Sequence, residues 1–600
     1  MMPMPRQESL SAYRAARRAG LKYVAEQNGA GKSGLLPVLE TLPGELCAEI
    51  PLGYFEIPLK KIRGTYAAGR SSAFAGNFMP LLGEDTEFAE KWTTLYASSV
   101  TEGIREPVKA YEYLGYYYIV EGNKRVSVMN CSGAYSIFGR ALRLLPPRGS
   151  GSAEHDIFFE ILGDNNRAPI GHMWFSETGR ITKLRELARK TGKKFPMPAE
   201  ELINSSFASF RAVYHELGLA EELGEITTGD AFYQYVLVYG FPEGIGEDEL
   251  SRNISNCLPA LKNMAERGAK EVLGDPSELA RKSVFASFLR GARLSVLFAC
   301  CGTPESSLSA QAHYVGRYAL ERDFPAVGVN SVCGLPQGPN CYEPLMRAVR
   351  EHNPDILFAT SPSMRQAALR VSLEARNTLV LHCHYKQAGV LGTYSAKTEE
   401  SAFLMGALAA SLTETGVAGY LRPSDTLGNR TQNMQAFAQG ARFIRPSTRV
   451  YFATSRDAES RREIFAQWAA MGADMACMPH EPQYGPPPAE FPGVYSRLFR
   501  LSQEGVPSDR CAVSALHWDV FYTRLAREIT EGSAVLLARH DGVLHFRLGL
   551  ASGVTDTHAV YPAVKPSSFM LLRHLHYLIS QGQLTPINED SPVEVIETPL

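Results

Sequence analysis

Four groups of residues in this 600-residue chain have the types and spacing for chemistry. Glu121-Gly122-Asn123-Lys124-Arg125 places two cations beside a glycine that lets a ligand approach the backbone. At the start of a helix, that corner would also offer free N–H groups to a phosphate. The opposed reading is a turn in which Glu121 and Arg125 pair with each other. His382-Cys383-His384, with Cys333 and Cys341, invites a metal reading. On a strand the two histidines share a face, but two ligands do not make a tetrahedral site. We therefore expect a strand end lining a core or pocket, and no metal. Cys300-Cys301 reads as a buried apolar pair. Asn28–Gly34 (NGAGKSG) has the look of a phosphate loop, but that motif needs a glycine where Glu26 stands, and Pro37 follows.

The elements that must carry these groups alternate between strand and helix from about residue 293. RLSVLFACC (Arg293–Cys301) reads as a buried strand, followed by helix Ser307–Arg322, strand Ala326–Ser331 and helix Tyr342–His352. Strand Asp355–Ala359, helix Met364–Ala375 and strand Thr378–His384 follow. Beyond residue 420 come helix Thr431–Arg442, strand Thr448–Ala453, helix Ala458–Met471 and strand Ala473–Met478, giving a second lobe. Doubly wound α/β lobes bury such a pattern, and ligands gather at the carboxyl ends of their strands. That rule nominates Thr303, Glu305, Ser306, Thr360, Ser361, His384, Arg422 and Asp425.

Thr393–Leu421 (TYSAKTEESAFLMGALAASLTETGVAGYL) joins the two halves of this pattern. It reads as strand, helix and strand, with Thr398 as N-cap, Glu399 and Glu400 on the positive end of the helix dipole, and Gly416 as a left-handed C-cap. Ser401–Leu412 is apolar or small on every side, so the helix should be buried within a parallel sheet covered on both faces. The acidic pair, Phe403, the small-residue helix and Thr415-Gly416 resemble the basic membrane protein family of ABC-transporter solute-binding proteins. The resemblance covers roughly residues 290–560. It implies a periplasmic-binding-protein type 1 fold and a purine-nucleoside-like ligand. It adds Tyr314, Phe437, Gly440, Ser496, His517 and Trp518 as ligand contacts, with aromatics stacking on a base and Glu305 or Asp425 binding ribose hydroxyls. The family's Asp-rich start is GTPESSLSAQ here, and its fourth-strand aspartate is replaced by His382-Cys383-His384.

Upstream, EIPLKKIRG, a helix at Thr86–Ser99 and strands Val108–Tyr113 and Tyr116–Val120 lead into EGNKR. This arrangement resembles the ParB-like, sulfiredoxin-like domain, a small α+β fold. The resemblance implies nucleotide or phosphate binding at Glu121, Gly122, Asn123, Lys124 and Arg125, with a magnesium nucleotide as cofactor where relatives turn one over. Asn123-Lys124 stands where many relatives carry His or Arg.

These readings divide the chain into an N-terminal helical segment (1–49), a ParB-like domain (50–147), a helical connector (148–290), a two-lobed binding domain (291–585) and a flexible tail (586–600). The connector should carry helices at Ile181–Thr191, Ala199–Leu217 and Glu247–Leu273, the last broken at Pro259. An apolar content of 45% fits a globular protein, and a net charge of −2 gives no field for nucleic acid or acidic membranes. No apolar run reaches the roughly 18 residues of a membrane span, and the N-terminus has no apolar signal region. Ten scattered cysteines fit reduced thiols in a cytoplasmic setting. The expected function is a cytoplasmic nucleoside-like binding protein or sensor. The alternatives are an ABC-transporter receptor with its transporter components as partners, and a nucleotide-dependent hydrolase or kinase centred on Glu121–Arg125.

Overall fold

Alternation of apolar and polar side chains places a hairpin at residues 108–121, and it forms there. β3 (Val108–Tyr113) and β4 (Tyr116–Glu121) pair antiparallel across Leu114-Gly115, both with positive φ, as a two-residue hairpin turn requires. The computed structural model describes residues 6–41, 48–104, 106–146, 149, 152–163, 173–191, 197–224, 226–265, 272–278, 294–303, 308–384, 390–422, 430–455, 457–479, 493–530, 544–587 and 596–598. The chain divides into two units, Met1–Val236 with Phe241–Glu247, and Leu237–Gly240 with Asp248–Leu600.

In the first unit the hairpin joins β1 (Ala48–Pro58), β2 (Ile62–Thr65) and β5 (Ser136–Leu145) in one sheet of order β1-β5-β3-β4-β2. Helices α1 (Arg6–Gly29), α2 (Glu87–Thr101) and α3 (Asn123–Cys131) belong to the same unit, with Tyr13, Trp92 and Val128 in a shared core. Between β3 and β5 the sheet buries an ion pair, Glu112 with Arg143, both side chains almost inaccessible. Helices α4 (Ala153–Leu162), α5 (Arg180–Thr191), α6 (Ala199–Glu216), α7 (Leu219–Glu222) and most of α8 (Thr228–Tyr239) also fall in this unit.

Residues 148–290, expected as one connector, therefore split between the units. α9 (Glu247–Ala265) falls almost wholly in the second and runs through Pro259 without a break. The helix expected to reach Leu273 ends earlier, and β6 (Val272–Leu273) becomes an edge strand.

The second unit contains two sheets. The first has order β6-β17-β11-β10-β9-β7-β8 and is parallel throughout. Its strands are β7 (Ser295–Ala299), β8 (Gly328–Val332), β9 (Ile356–Ala359), β10 (Leu379–Cys383), β11 (Gly392–Ala396) and β17 (His545–Leu548). Helices α10 (Leu308–Asp323), α11 (Tyr342–His352) and α12 (Arg365–Glu374) alternate with them. The second sheet has order β18-β16-β15-β14-β12-β13-β19 and is mixed. β12 (Val417–Arg422), β13 (Arg449–Thr454), β14 (Met475–Pro479) and β19 (Ile596–Glu597) run parallel. β15 (Val494–Leu501), β16 (Pro507–Leu516) and β18 (Thr555–Ala559) continue the sheet antiparallel, so only part of it is the parallel lobe expected.

The central helix corrects the sequence reading most. α13 (Thr398–Leu412) leaves β11 in the first sheet and delivers the chain to β12 in the second. It is not a crossover within one sheet. All but one of its 15 residues are buried, so it has no solvent face. It packs in the core of the second sheet with α14 (Arg430–Ile444) and α17 (Pro566–Ser580). Thr398 is the first helical residue, and its hydroxyl donates to Asn433 Oδ1 at 3.1 Å instead of capping the helix. Glu400 accepts from Leu550 N–H at 2.7 Å and Glu399 pairs with Arg547, so the acidic pair ties the helix start to the chain around β17. The helix ends at Thr413, and Gly416 (φ 76°) turns the chain into β12.

Two more connections link the sheets: β16 to α16 (Trp518–Glu528), which packs on the first sheet, and β17 to β18. The tail also differs from expectation. β19 pairs with β13, and Thr598 accepts a hydrogen bond from Trp468 Nε1 at 2.8 Å.

Candidate functional site

The strands of the first sheet all point one way, so their carboxyl ends share an edge. Adjacent there are the ends of β10, β9, β7 and β8. Ser361, just past β9, staples two neighbours: its hydroxyl accepts from Cys301 N–H at 2.9 Å, and its carbonyl lies 3.1 Å from His382 Nε2. The Ser363 hydroxyl donates to Cys301 Sγ at 3.4 Å. A hydrogen bond from the Cys341 thiol lowers the Cys301 pKa; burial opposes this, and Ser363 and Ser361 add to it. Cys301 is half-buried and not the inert apolar residue expected, whereas Cys300 is buried with its pKa raised chiefly by desolvation. Hydroxyls and an activated thiol at a strand edge can hold a polar ligand, and the thiol can act as a nucleophile. The strand-end rule that nominated Thr303 applies equally to Cys301, the second residue after β7; reading the Cys-Cys pair as core hid it.

Thr303 and Ser361 are thus at this edge, with His384 beyond β10, its ring stacked 5.6 Å from that of His382. Thr360, just before Ser361, is buried with its hydroxyl on Ala299 O. Glu305, Ser306 and Asp425 lie outside the described residues. Tyr314 on α10 is exposed, with the Arg317 guanidinium 5.0 Å from its ring. Trp518 is not a free stacking platform. It is buried and stacks on His313 at 5.0 Å, beside Tyr394 and Tyr522 in the first-sheet core.

In the second sheet, Arg422 pairs with Glu597 at 2.9 Å and Ser496 lies 3.3 Å from Cys477 Sγ. Phe437 and Gly440 belong to the α13–α14 contact: Phe437 is fully buried against Tyr420, and Gly440 meets the backbone of Phe403. These four are held by the second sheet's own packing and pairing, whereas Thr303, Ser361 and His384 each follow a strand end of the first sheet.

Two buried histidines make a pH prediction. His313 is enclosed, with Nδ1 2.7 Å from Tyr522 OH, and burial pushes its pKa down to about 3. Burial likewise takes His382 to about 3, with His384 and Arg365 adding and the Ser361 carbonyl opposing. Their folded pKa lies below the unfolded value, so as pH falls the unfolded chain takes the proton first. Stability is full above about pH 6.5 and is lost between there and 3, at about 1.4 kcal/mol per pH unit for each histidine. Denaturant midpoints at pH 7 and pH 5 should therefore differ less in His313→Gln than in the parent. An equal difference in both would refute this account.

In the first unit, Gly122 adopts φ 110° before α3, and a Cβ there would meet Val108 Cγ1 at 2.7 Å, so glycine is required by the corner itself. Lys109 binds Glu121 at 2.5 Å. Arg125 donates to the carbonyls of Glu106 (3.1 Å) and Pro107 (2.7 Å), and pairs with Glu106 and Glu121. Lys124 lies over Phe88, and Asn123 Nδ2 donates to Thr65 Oγ1 at 3.3 Å. The turn with a Glu121–Arg125 pair is thus the arrangement present. Its pairs are exposed on the carboxylate side and individually weak.

Among the described residues, no helix is long and apolar enough to cross a membrane. Among curated proteins, no match to the chain is found. Of solved structures, an ABC transporter system solute-binding protein from Conexibacter woesei DSM 14684 is 14% identical, covering 49% of this chain and 98% of that one at a TM-score of 0.37. One from Aeropyrum pernix K1 is 13% identical, covering 50% and 95% at 0.37. A transcriptional activator of the comK gene from Bacillus halodurans is 10% identical, covering 49% and 100% at 0.36. Residues 295–468 match the family model described as "Bmp: ABC transporter substrate-binding protein PnrA-like", and it is to that family that this stretch of the second unit is similar.

Proposed function

We propose that the second unit is a small-molecule binding module whose two sheets close on a nucleoside-like heterocycle, in a chain that works as a cytoplasmic ligand sensor. The observation that carries this is the connectivity: among the described residues, the two sheets are joined by three chain passages, through α13, β16–α16 and β17–β18. A few torsions at such passages are enough for hinge closure. The polar edge of Ser361, Thr303 and His384 supplies partners for a heterocycle and its hydroxyls. The family match over residues 295–468 supports a small-molecule ligand. Nine free cysteines among the described residues fit a reducing compartment. The first unit, with its ParB-like corner closed by its own pairs, is read as the output element.

A thermal-shift screen of the full chain against nucleosides, nucleobases and magnesium nucleotides tests this. A nucleoside at a hundred times its dissociation constant should stabilise by about 2.7 kcal/mol and move the midpoint by several degrees. If only a magnesium nucleotide shifts it, and Arg125→Ala abolishes that shift, the binding-module reading fails. The nucleotide-dependent enzyme centred on the ParB-like corner then replaces it.

A further inference from the structure

Away from the strand-end edge, the second unit brings together metal-ligating side chains from the β16–α16 junction and from β18. His517 stands between β16 and α16. Asp556 and His558 are two residues apart on β18, so they share one face of the strand. One ligand atom from each of the three lies within 4.8 Å of the other two. His558 Nε2 is 3.3 Å from Asp556 Oδ2, and the His517 and His558 rings meet edge to face at 6.4 Å. On the other side of the carboxylate, His576 Nε2 of α17 lies 3.4 Å from Asp556 Oδ1, which also accepts from Thr557 N–H at 2.7 Å.

We propose that His517, Asp556 and His558 form a binding site for a divalent transition metal of the zinc class, with His576 as the positioning residue that orients Asp556. Two imidazoles and a carboxylate are borderline ligands that suit zinc and its first-row neighbours; calcium and magnesium prefer oxygen alone. Three protein ligands leave a fourth tetrahedral position open. A histidine bonded to the far oxygen of a ligating carboxylate is the outer support such sites need. A surface ion pair would be served by one histidine, whereas here three converge on one carboxylate from three elements.

The location gives the metal a mechanical role. His517 N–H donates to Val554 O at 2.8 Å, so the β16–α16 passage is already bonded to the β17–β18 passage. A metal held by His517 from one and by Asp556 and His558 just past the other would bolt two of the three links between the sheets. The site itself does not depend on the ligand proposed above, and its test uses the metal alone.

Full-length protein stripped with a chelator is titrated with Zn²⁺ or Co²⁺ and no other ligand. One metal per chain is expected, with a raised unfolding midpoint. The cobalt form should show d–d absorption without thiolate-to-metal charge transfer, which separates this site from the cysteines near Cys301. Asp556→Asn with His558→Gln should abolish binding, and His576→Ala should weaken it roughly 10- to 100-fold. The proposal is overturned by no binding to the parent protein, by thiolate charge transfer in the cobalt form, or by undiminished binding in a folded double variant. The cobalt spectrum of the parent decides the matter even where a variant fails to fold.

Discussion

Gly406→Ala is expected to destabilise the second unit by about 3 kcal/mol, the upper end of ordinary overpacking costs. Elsewhere in a helix the same change stabilises by up to about 1 kcal/mol, because alanine has the higher helix propensity. The sign reverses because α13 and α14 cross backbone to backbone. A Cβ on Gly406 would sit 1.9 Å from Phe437 O, and one on Gly440 would sit 2.1 Å from Phe403 O. Each glycine faces the carbonyl of the residue three positions before the other glycine, so the contact is reciprocal. No side chain can swing aside, and relief requires the helices to part within a core that contains Phe403, Leu404, Leu408 and Phe437. Gly440→Ala should behave alike, and the double variant should cost less than the sum, since helices already parted admit the second methyl more easily. Denaturant unfolding measures all three. A neutral or stabilising Gly406→Ala would show that the close crossing is absent.

The second large effect concerns the first unit. Glu112→Ala should cost about 3–5 kcal/mol, because it removes the carboxylate that neutralises the buried Arg143 guanidinium. Glu112 also accepts from Gly115 N–H at 2.6 Å, so its loss unpins the turn of the β3–β4 hairpin. Replacing both members, Glu112→Met with Arg143→Met, should recover most of the stability, since a packed apolar pair avoids the desolvation cost. Equilibrium unfolding of the single and double variants separates the two cases. A single variant as stable as the parent would mean that the arginine finds water or another acceptor, and the pair would then have no structural weight.

Much of the second unit was legible along the chain. Helix Tyr342–His352 forms at the residues its apolar spacing indicates, and β7, β8, β9, β10 and β11 lie within a few residues of their apolar runs, whereas β6 falls in an expected helix and β17 was not foreseen. Local signals suffice there, because a strand buried on both faces and an amphipathic helix are each written in consecutive residues. The hairpin before α3 is equally local. The β1–β5 pair was missed. It joins residues about ninety apart, and no local pattern states which strands will meet. Pro259 was read as a helix break, but tertiary packing carries α9 through it.

For the site, the sequence determined the residue types at each strand end and the uniform burial of α13. It could not say that α13 serves the second sheet while starting from the first. A helix apolar on every side carries no record of which core encloses it. Nor could it bring His517 to Asp556 and His558, or Cys341 to Cys301, since those meetings depend on sheet order. It proposed Gly440 and Trp518 as ligand contacts, and the fold uses them for a helix crossing and an aromatic core. Periodicity records how an element divides between buried and exposed faces. Which elements become neighbours is decided by long-range packing, and with it which chemical groups share a site.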